Sequence, residues 1–301
     1  MTRTWPLPQA DPGGITIHQL SDTHIRYQSW ADAETDHMLR DVERGLVPLP
    51  DALVHTGDII DGTHWAGSIG PLSGQDSYAK TWLTSIARGV PSLWVPGNHD
   101  LWDRPNRLRS EWESVYGRPG NSYVDLPGLR IVGFCPDFHT SPDEVWQLDA
   151  NTLTWIDETC GSTSNPVLLC DHYPPAELGV SSTIQPANSF ADLISSHSNI
   201  MGMLTGHLHL NMDSANSTVF LSIGNRSKFP VVSDVSSLFS STLTDRNQSA
   251  RVPTTSWFVI IYPGDRWEIR YRMHGKHLWS GPNGFRRTVM DLTTGSITHT
   301  M

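Results

Sequence analysis

Short apolar runs alternate with longer stretches of helical periodicity along this chain. Ile15-Thr16-Ile17-His18-Gln19-Leu20, Ala52-Leu53-Val54-His55, Ser92-Leu93-Trp94-Val95, Val167-Leu168-Leu169-Cys170 and Met201-Gly202-Met203-Leu204 each read as a short, largely buried strand. Residues 32–45, 77–88, 107–116 and 149–160 carry apolar positions at roughly helical spacing, and around the last of these Leu148, Leu153, Trp155 and Ile156 should pack inward. Residues 122–134 read as two strands around the Pro127-Gly128 turn, with a β-rich tail at 256–262 and 267–273. The pattern predicts an α/β fold, a two-sheet sandwich covered by helices. Residues 233–255, rich in Ser and Thr, read as a long surface loop that could cap a crevice. Residues 275–301 leave a terminal hairpin and an oligomer contact both open, and no internal repeat is evident.

Each of the five apolar runs ends where a polar cluster begins: Asp22-Thr23-His24, Gly57-Asp58, Gly97-Asn98-His99-Asp100, His172, and Gly206-His207-Leu208-His209. Side chains used for chemistry in α/β sheets gather at the carboxyl ends of strands, so five strand ends can build one site. Residues two apart in an extended backbone face the same side, which lets Asp22 and His24 reach one ion, and His207 and His209 likewise. Gly57 lets the backbone turn sharply off its strand and brings the Asp58 carboxylate close, as a bridge between two cations requires. Asn98 adds a neutral amide oxygen and His172 an imidazole. Mixed carboxylate, amide and imidazole donors suit two divalent or mixed-valence ions of Mn, Fe, Zn or Co.

The 301 residues, 38% hydrophobic, can bury a substantial core in one large domain or two smaller ones. A formal charge of −10 removes any general electrostatic reason to bind nucleic acid or an anionic membrane; an anionic substrate would be drawn by the metals instead. The first twelve residues carry no apolar run, so neither a secretory signal nor a membrane span is read there, and a cytoplasmic location is the expectation. Cys135, Cys160 and Cys170, odd in number and without zinc-type spacing, suit reduced core thiols.

The ordered clusters D-x-H, GD, GNH-[DE], H and GHxH resemble the calcineurin-like metallophosphoesterase superfamily, and every position of that pattern is filled here. Leu20-Ser21-Asp22-Thr23-His24, Leu129-Arg130-Ile131-Val132-Gly133 ahead of Leu153-Thr154-Trp155-Ile156, and His172-Tyr173-Pro174-Pro175 look most like its class III cyclic-nucleotide phosphodiesterase group. The likeness runs roughly from Ile17 to Arg226. It implies a four-layer α/β/β/α fold, with residues 1–250 as the catalytic domain and 251–301 as strands completing the second sheet plus a terminal extension. One metal would take Asp22, His24 and His209, the other Asn98, His172 and His207, with Asp58 shared and a bridging hydroxide as nucleophile. His99, left over as a ligand, would face the leaving oxygen as acid or hydrogen-bond donor. The resemblance points to Asp61 as the group that orients His99, so that its loss lowers turnover and leaves metals bound; Asp100 is the second choice, with a helix N-cap as its plain structural role.

Departures from the pattern narrow the substrate. Protein serine/threonine phosphatases of the superfamily place an Arg after that second Asp, where this chain has Gly62, so a phosphoprotein substrate is disfavoured. Asp171 stands where related families carry a His, and both a site-facing and a strand-capping role are open. His64 and Trp65, in the loop after Asp58, are candidate substrate contacts beside Asn98 and His99, against the plainer reading that the loop merely packs. His18 and His55 lie inside strands and read as structural, most of the twelve tryptophans as core, and His139, His197, His274, His277 and His299 as surface. The expected activity is hydrolysis of a small phosphodiester, a cyclic nucleotide or a related molecule. A phosphomonoesterase, a nucleotide pyrophosphohydrolase and a non-catalytic scaffold are the alternatives, and a homodimer is suggested by the family.

Overall fold

The computed structural model describes residues 13–25, 29–62, 71–101, 109–135, 146–180, 183–209, 217–233, 255–274 and 287–300. In chain order the strands are β1 (Ile15–Leu20), β2 (Ala52–Thr56), β3 (Ser92–Val95), β4 (Ser122–Leu126), β5 (Leu129–Gly133), β6 (Trp146–Gln147), β7 (Val167–Cys170), β8 (Ile184–Gln185), β9 (Ile200–Thr205), β10 (Thr218–Ile223), β11 (Arg226–Ser233), β12 (Thr255–Tyr262), β13 (Arg266–Met273), β14 (Arg287–Asp291) and β15 (Ser296–Thr300). The helices are α1 (Ser29–Glu43), α2 (Leu72–Ala87), α3 (Asn98–Leu101), α4 (Arg109–Tyr116), α5 (Ala150–Gly161) and α6 (Ala187–Ser196). A seven-stranded sheet in the order β15-β14-β13-β12-β1-β2-β3 faces a six-stranded sheet in the order β10-β11-β9-β7-β5-β4, and helices flank both.

Strand parity explains why the site-bearing runs are apolar almost throughout. Ile17, Val54, Leu93, Leu168 and Leu204 point into the space between the sheets with Trp257 and Trp267, whereas Leu20, Leu53, Trp94, Leu169 and Met203 point toward the helices. A strand buried on both faces has no polar face to alternate with. The parallel neighbours β1-β2-β3 and β5-β7-β9 therefore deliver their carboxyl ends to one edge of the sandwich. At that edge Gln19 crosses between the sheets, its side-chain amide donating to the Thr205 carbonyl at 3.2 Å.

The C-terminal strands close the sheet that the N-terminus begins: β12 pairs antiparallel with β1, and β14 and β15 form a terminal hairpin beyond β13. Sequence periodicity did not mark α6 or the β10–β11 hairpin. Helix α6 buries only Phe190, Leu193 and Ile194 among ten residues, and Pro230 breaks the strand signal of β11. Pro230 stands opposite Phe220 of β10 and just before Val231, where the pairing of β11 with β9 begins.

His274 is fully buried, not on the surface, and nothing in its local pattern could reveal this because its partners are distant in sequence. Its Nδ1 lies 3.1 Å from Asp41 Oδ2 on α1 and its Nε2 lies 2.8 Å from Ser256 Oγ on β12, while Arg272 donates to the same Asp41 oxygen at 2.8 and 3.2 Å. The Asp–His–Ser order is that of a hydrolytic triad, but Ser256 is entirely enclosed, so the network pins α1 to the β12–β13 ribbon. Burial alone would raise the Asp41 carboxyl; the His274 bond and the Arg272 guanidinium outweigh it and hold it down to about 2. Asp41→Asn is expected to cost about 3–5 kcal/mol, the usual result of stranding a buried cation. A depressed carboxyl contributes stability that is present above its unfolded value and is lost as pH falls through the folded one. The melting-temperature gap between wild type and Asp41→Asn should therefore narrow from about pH 4 and close near about pH 2. A gap independent of pH would show that the carboxylate's charge is not what stabilises this contact.

Candidate metal centre

The five clusters converge at the carboxyl edge of the sandwich. Asp22, His24, Asp58 and His209 present donor atoms that all lie within 4.8 Å of one another, and so do Asp58, His172 and His207. Asp58 belongs to both groups. Asn98 Oδ1 joins the second, 2.9 Å from His172 Nε2 and 3.0 Å from His207 Nδ1. In the first, His209 Nε2 lies 3.0 Å from Asp22 Oδ1 and 3.2 Å from His24 Nε2.

Local backbone geometry, rather than extended alternation, aims these groups. Five of the six non-glycine residues with positive φ among the described residues are Asp22, His24, Asp58, His207 and His209. Each stands in the left-handed region that side chains disfavour, which is where strain collects at functional sites. Residues two apart thus meet because both kink off their strand ends, not because they share the face of a strand. The motif glycines have a second task beyond turning. A Cβ on Gly57 would come within 2.5 Å of His172 Nδ1, one on Gly97 would strike the Asp58 carboxylate, and one on Gly206 would strike Ser21 and Asp22.

Hydrogen bonds behind the donors set their lone pairs. His172 Nδ1 lies 2.8 Å from the Thr56 carbonyl, which can only accept, so Nδ1 carries the proton and Nε2 turns a lone pair toward Asn98 Oδ1 and His207 Nδ1. Acceptor atoms facing one another at this range require a cation or a proton between them. Burial opposes a proton on His172, but Asp58 outweighs it and pushes the imidazole up to about 9. Burial first, then His172, push His207 down to about 3, leaving it a neutral donor. Burial would raise both Asp22 and Asp58, yet His209 holds Asp22 down and His172, with His99, holds Asp58 down, so both carboxylates are charged. Two anions, an amide oxygen and imidazole nitrogens, with a cation taking the place of the proton that Asp58 otherwise holds on His172, form a donor set that fits two divalent cations sharing one carboxylate.

Several supporting residues escaped the sequence reading. Gly57 N–H donates to His55 Nδ1, His55 Nε2–H reaches Thr23 Oγ1 at 3.0 Å, and Thr23 Oγ1 donates to the Ile59 carbonyl, so a neutral His55 links the first two ligand loops. Burial pushes that histidine down to about 3, in keeping with its structural role. His18 is also structural, stacked on Phe258 at 4.4 Å. Asp100 is not a simple helix cap. Its carboxylate accepts the amides of Gly97, Ile59 and Ile60 at 2.8, 3.1 and 3.1 Å and clamps the second and third ligand loops together. Burial, with Asp58 nearby, raises this carboxyl to about 7. Tyr173 stacks flat on His207 at 4.0 Å, a contact no motif announces.

His99 stands at the rim with its side chain 11% exposed and its Nε2 4.0 Å from Asp58. Its Nδ1 lies 2.9 Å from the main-chain carbonyl of Asp61 and 3.8 Å from the Asp61 carboxylate, which sits nearer to His24 Nδ1 at 3.5 Å. Asp171 is buried beside Cys135 and Cys170 and belongs to neither donor group. His64 and Trp65, and most of the loop expected at 233–255, lie outside the described residues.

The sequence profile of calcineurin-like phosphoesterases matches residues 15–211, the span that carries all five clusters. The chain belongs to this family. Among proteins similar to this calcineurin-like phosphoesterase is one named "Probable cyclic nucleotide phosphodiesterase" in Rhodococcus erythropolis, 28% identical over 66% of this chain; the match spans 65% of that relative's length. A Synechococcus protein with the same description is 27% identical over 65% of this chain and 73% of its own. An Arcobacter nitrofigilis protein named "Probable glycerophosphodiester phosphodiesterase" is 25% identical over 65% of this chain and 72% of its own. Purple acid phosphatase from yellow lupin shares the fold, with a TM-score of 0.51 at 12% identity over 91% of this chain and 53% of the lupin chain. The chain thus carries the calcineurin-like phosphoesterase fold with a dinuclear donor set arranged for metal-dependent hydrolysis. No helix among the described residues is long and apolar enough to cross a membrane.

Proposed function

We propose that this phosphoesterase hydrolyses a small phosphodiester, a cyclic nucleotide or a molecule of similar size, at the Asp58-centred site. The observation that carries this reading is the disposition of His99. With its Nδ1–H committed to the Asp61 carbonyl, its Nε2 is left beside Asp58 at the rim, where the leaving oxygen of a bound ester would emerge. The three relatives quoted above all bear diesterase names, and Gly62 replaces the phosphate-gripping Arg of phosphoprotein phosphatases, both in support.

In this reading Asp22, His24, Asp58 and His209 hold one cation and Asp58, Asn98, His172 and His207 the other. Such a pair supplies Lewis-acid polarisation of the phosphoryl oxygens and a water of lowered pKa when bound. The chain's own residues do the rest. Thr56 keeps the His172 Nε2 inward, Tyr173 holds the plane of His207, and His99, as the imidazolium with its Nδ1–H on the Asp61 carbonyl, would give its Nε2 proton to the departing oxygen and be left neutral. A diester has one alkoxide to expel and one ester group to keep, so a donor on the leaving side matters most for unactivated alcohols.

The Asp61 carboxylate lies 3.8 Å from His99 Nδ1 and 3.5 Å from His24 Nδ1, within reach of either ring. We infer that its carbonyl orients His99 whatever the side chain, while its carboxylate steadies His24. Asp61→Ala is then expected to weaken metal retention by about 10–100-fold, as loss of a partner behind a ligand does. Full metal occupancy with lowered turnover would return Asp61 to a role on His99 alone.

The substrate reading is tested on the purified enzyme with bis(p-nitrophenyl) phosphate, p-nitrophenyl phosphate, 3′,5′- and 2′,3′-cyclic nucleotides, glycerophosphodiesters and ADP-ribose. The expected result is a kcat/KM on diesters well above that on the monoester and the pyrophosphate. Comparable rates throughout, or a preference for the monoester, would reject the diesterase assignment.

A further inference from the structure

A second concavity lies at the opposite end of the sandwich from the ligand loops. It has a volume of about 520 Å³ and is walled by the chain just before β7 and β9, the first residues of β11, and the turns after β12 and β14. From Ile200 on its floor to Thr205, where the His207 loop departs, β9 rises five steps, roughly 17 Å. The cavity is therefore separate from the metal centre.

Its charge is opposite to that of the chain. The protein carries a formal −10, yet among the described residues no carboxylate lines this cavity, while Arg226 and Lys228 both do. Both cations are held by neutral oxygens. Arg226 donates to the carbonyls of Ser198 and Ile200, and Lys228 Nζ donates to the Thr293 carbonyl at 3.0 Å. The Lys228 stem lies across Gly295, where a Cβ would come within 2.9 Å of its Cδ and Cε. Asp291, whose carboxyl the Thr294 amide chiefly and Lys228 in part hold below its ordinary range, is already bonded to Thr294 and stands outside the lining. Carbonyls orient a cation without neutralising it, so half-buried Arg226 and exposed Lys228 keep their charge for a ligand. Beside them Pro166, Met201 and Leu292 provide an apolar wall.

We propose that this cavity binds a small organic anion. A phosphoryl or carboxylate group meets Arg226 and Lys228, and the apolar part rests on Pro166, Met201 and Leu292. The site stands independently of the reaction at the metal centre and of the substrate proposed for it.

The test uses the metal-loaded enzyme with methyl-labelled methionine, the Met201 resonance assigned by Met201→Leu, and phenylphosphonate as probe. The Met201 methyl is expected to shift saturably, with inorganic phosphate and phenylacetate binding more weakly and neutral benzyl alcohol leaving it in place. Lys228 is exposed and its Nζ donates to a main-chain carbonyl, so Lys228→Glu should fold, keep wild-type turnover of bis(p-nitrophenyl) phosphate, and weaken the phenylphosphonate titration by about tenfold or more. Arg226→Gln should weaken it similarly. A Met201 resonance that does not move, a Lys228→Glu titration like that of wild type, or benzyl alcohol binding as tightly as phenylphosphonate would each overturn the site. Binding at the metal centre alone would leave Met201 and the Lys228→Glu comparison unchanged, and so counts against it too.

Discussion

Asp58→Asn is expected to lose the paired metal site and, with it, nearly all hydrolysis. Asp58 is the one residue common to both donor groups, buried, ionised, and close to His24, His172 and His99 at 3.7, 3.4 and 4.0 Å. A neutral amide of the same shape can still accept the His99 amide, a 2.8 Å bond in the wild type, so the loop should keep its form. What disappears is the anion that two cations share. Metal-derived stabilisation of several kcal/mol at about 1.4 kcal/mol per tenfold makes the expected loss in kcat on the order of 10³-fold or more. Elemental analysis beside the rate measurement checks the cause: two equivalents of metal in wild type and fewer in the variant. An Asp58→Asn enzyme with both equivalents and an undiminished rate would remove the basis for a shared carboxylate.

His99→Ala should behave in the contrary way, with metals kept and turnover lost. Its ring lies outside both donor groups that contain Asp58, and its Nδ1–H is held by a main-chain carbonyl that the substitution leaves in place. Loss of a positioned proton donor costs about 10²–10⁴-fold in rate when the leaving alcohol is poor. A p-nitrophenolate leaves without help, so bis(p-nitrophenyl) phosphate should lose far less than a cyclic nucleotide. That split between leaving groups separates a proton donor from a residue that merely shapes the site. Equal losses on both substrates, or full activity on the cyclic nucleotide, would take His99 out of the proton-donating role.

The legible part of this molecule was the part written in adjacent residues. The five apolar runs became β1, β2, β3, β7 and β9 with small shifts at their ends, because a strand buried on both faces must be continuously apolar. The hairpin at Pro127-Gly128 and the C-terminal strands were equally readable from turn residues and β-branched runs. Helix α6 and the β10–β11 pair were not, since three apolar side chains in ten residues and a strand proline fall below any local pattern. His274 shows the same boundary. Its partners are Asp41, 233 residues away on α1, and Ser256 on the neighbouring strand β12, neither of which a local pattern can show.

By itself the sequence determined the donor inventory, namely carboxylates, an amide and imidazoles placed directly after buried strands, and hence the family to which the chain belongs. The tertiary structure alone decided how those donors meet: left-handed kinks at Asp22, His24, Asp58, His207 and His209, the Asp100 clamp, the His55 link, and the division of Asp61 between a carbonyl for His99 and a carboxylate near His24. The reason is physical. Which side chains a chain carries is a local property, whereas the angle at which each enters a shared site is set by hydrogen bonds and steric contacts between loops far apart in sequence, and only the folded sandwich brings those loops within reach of one another.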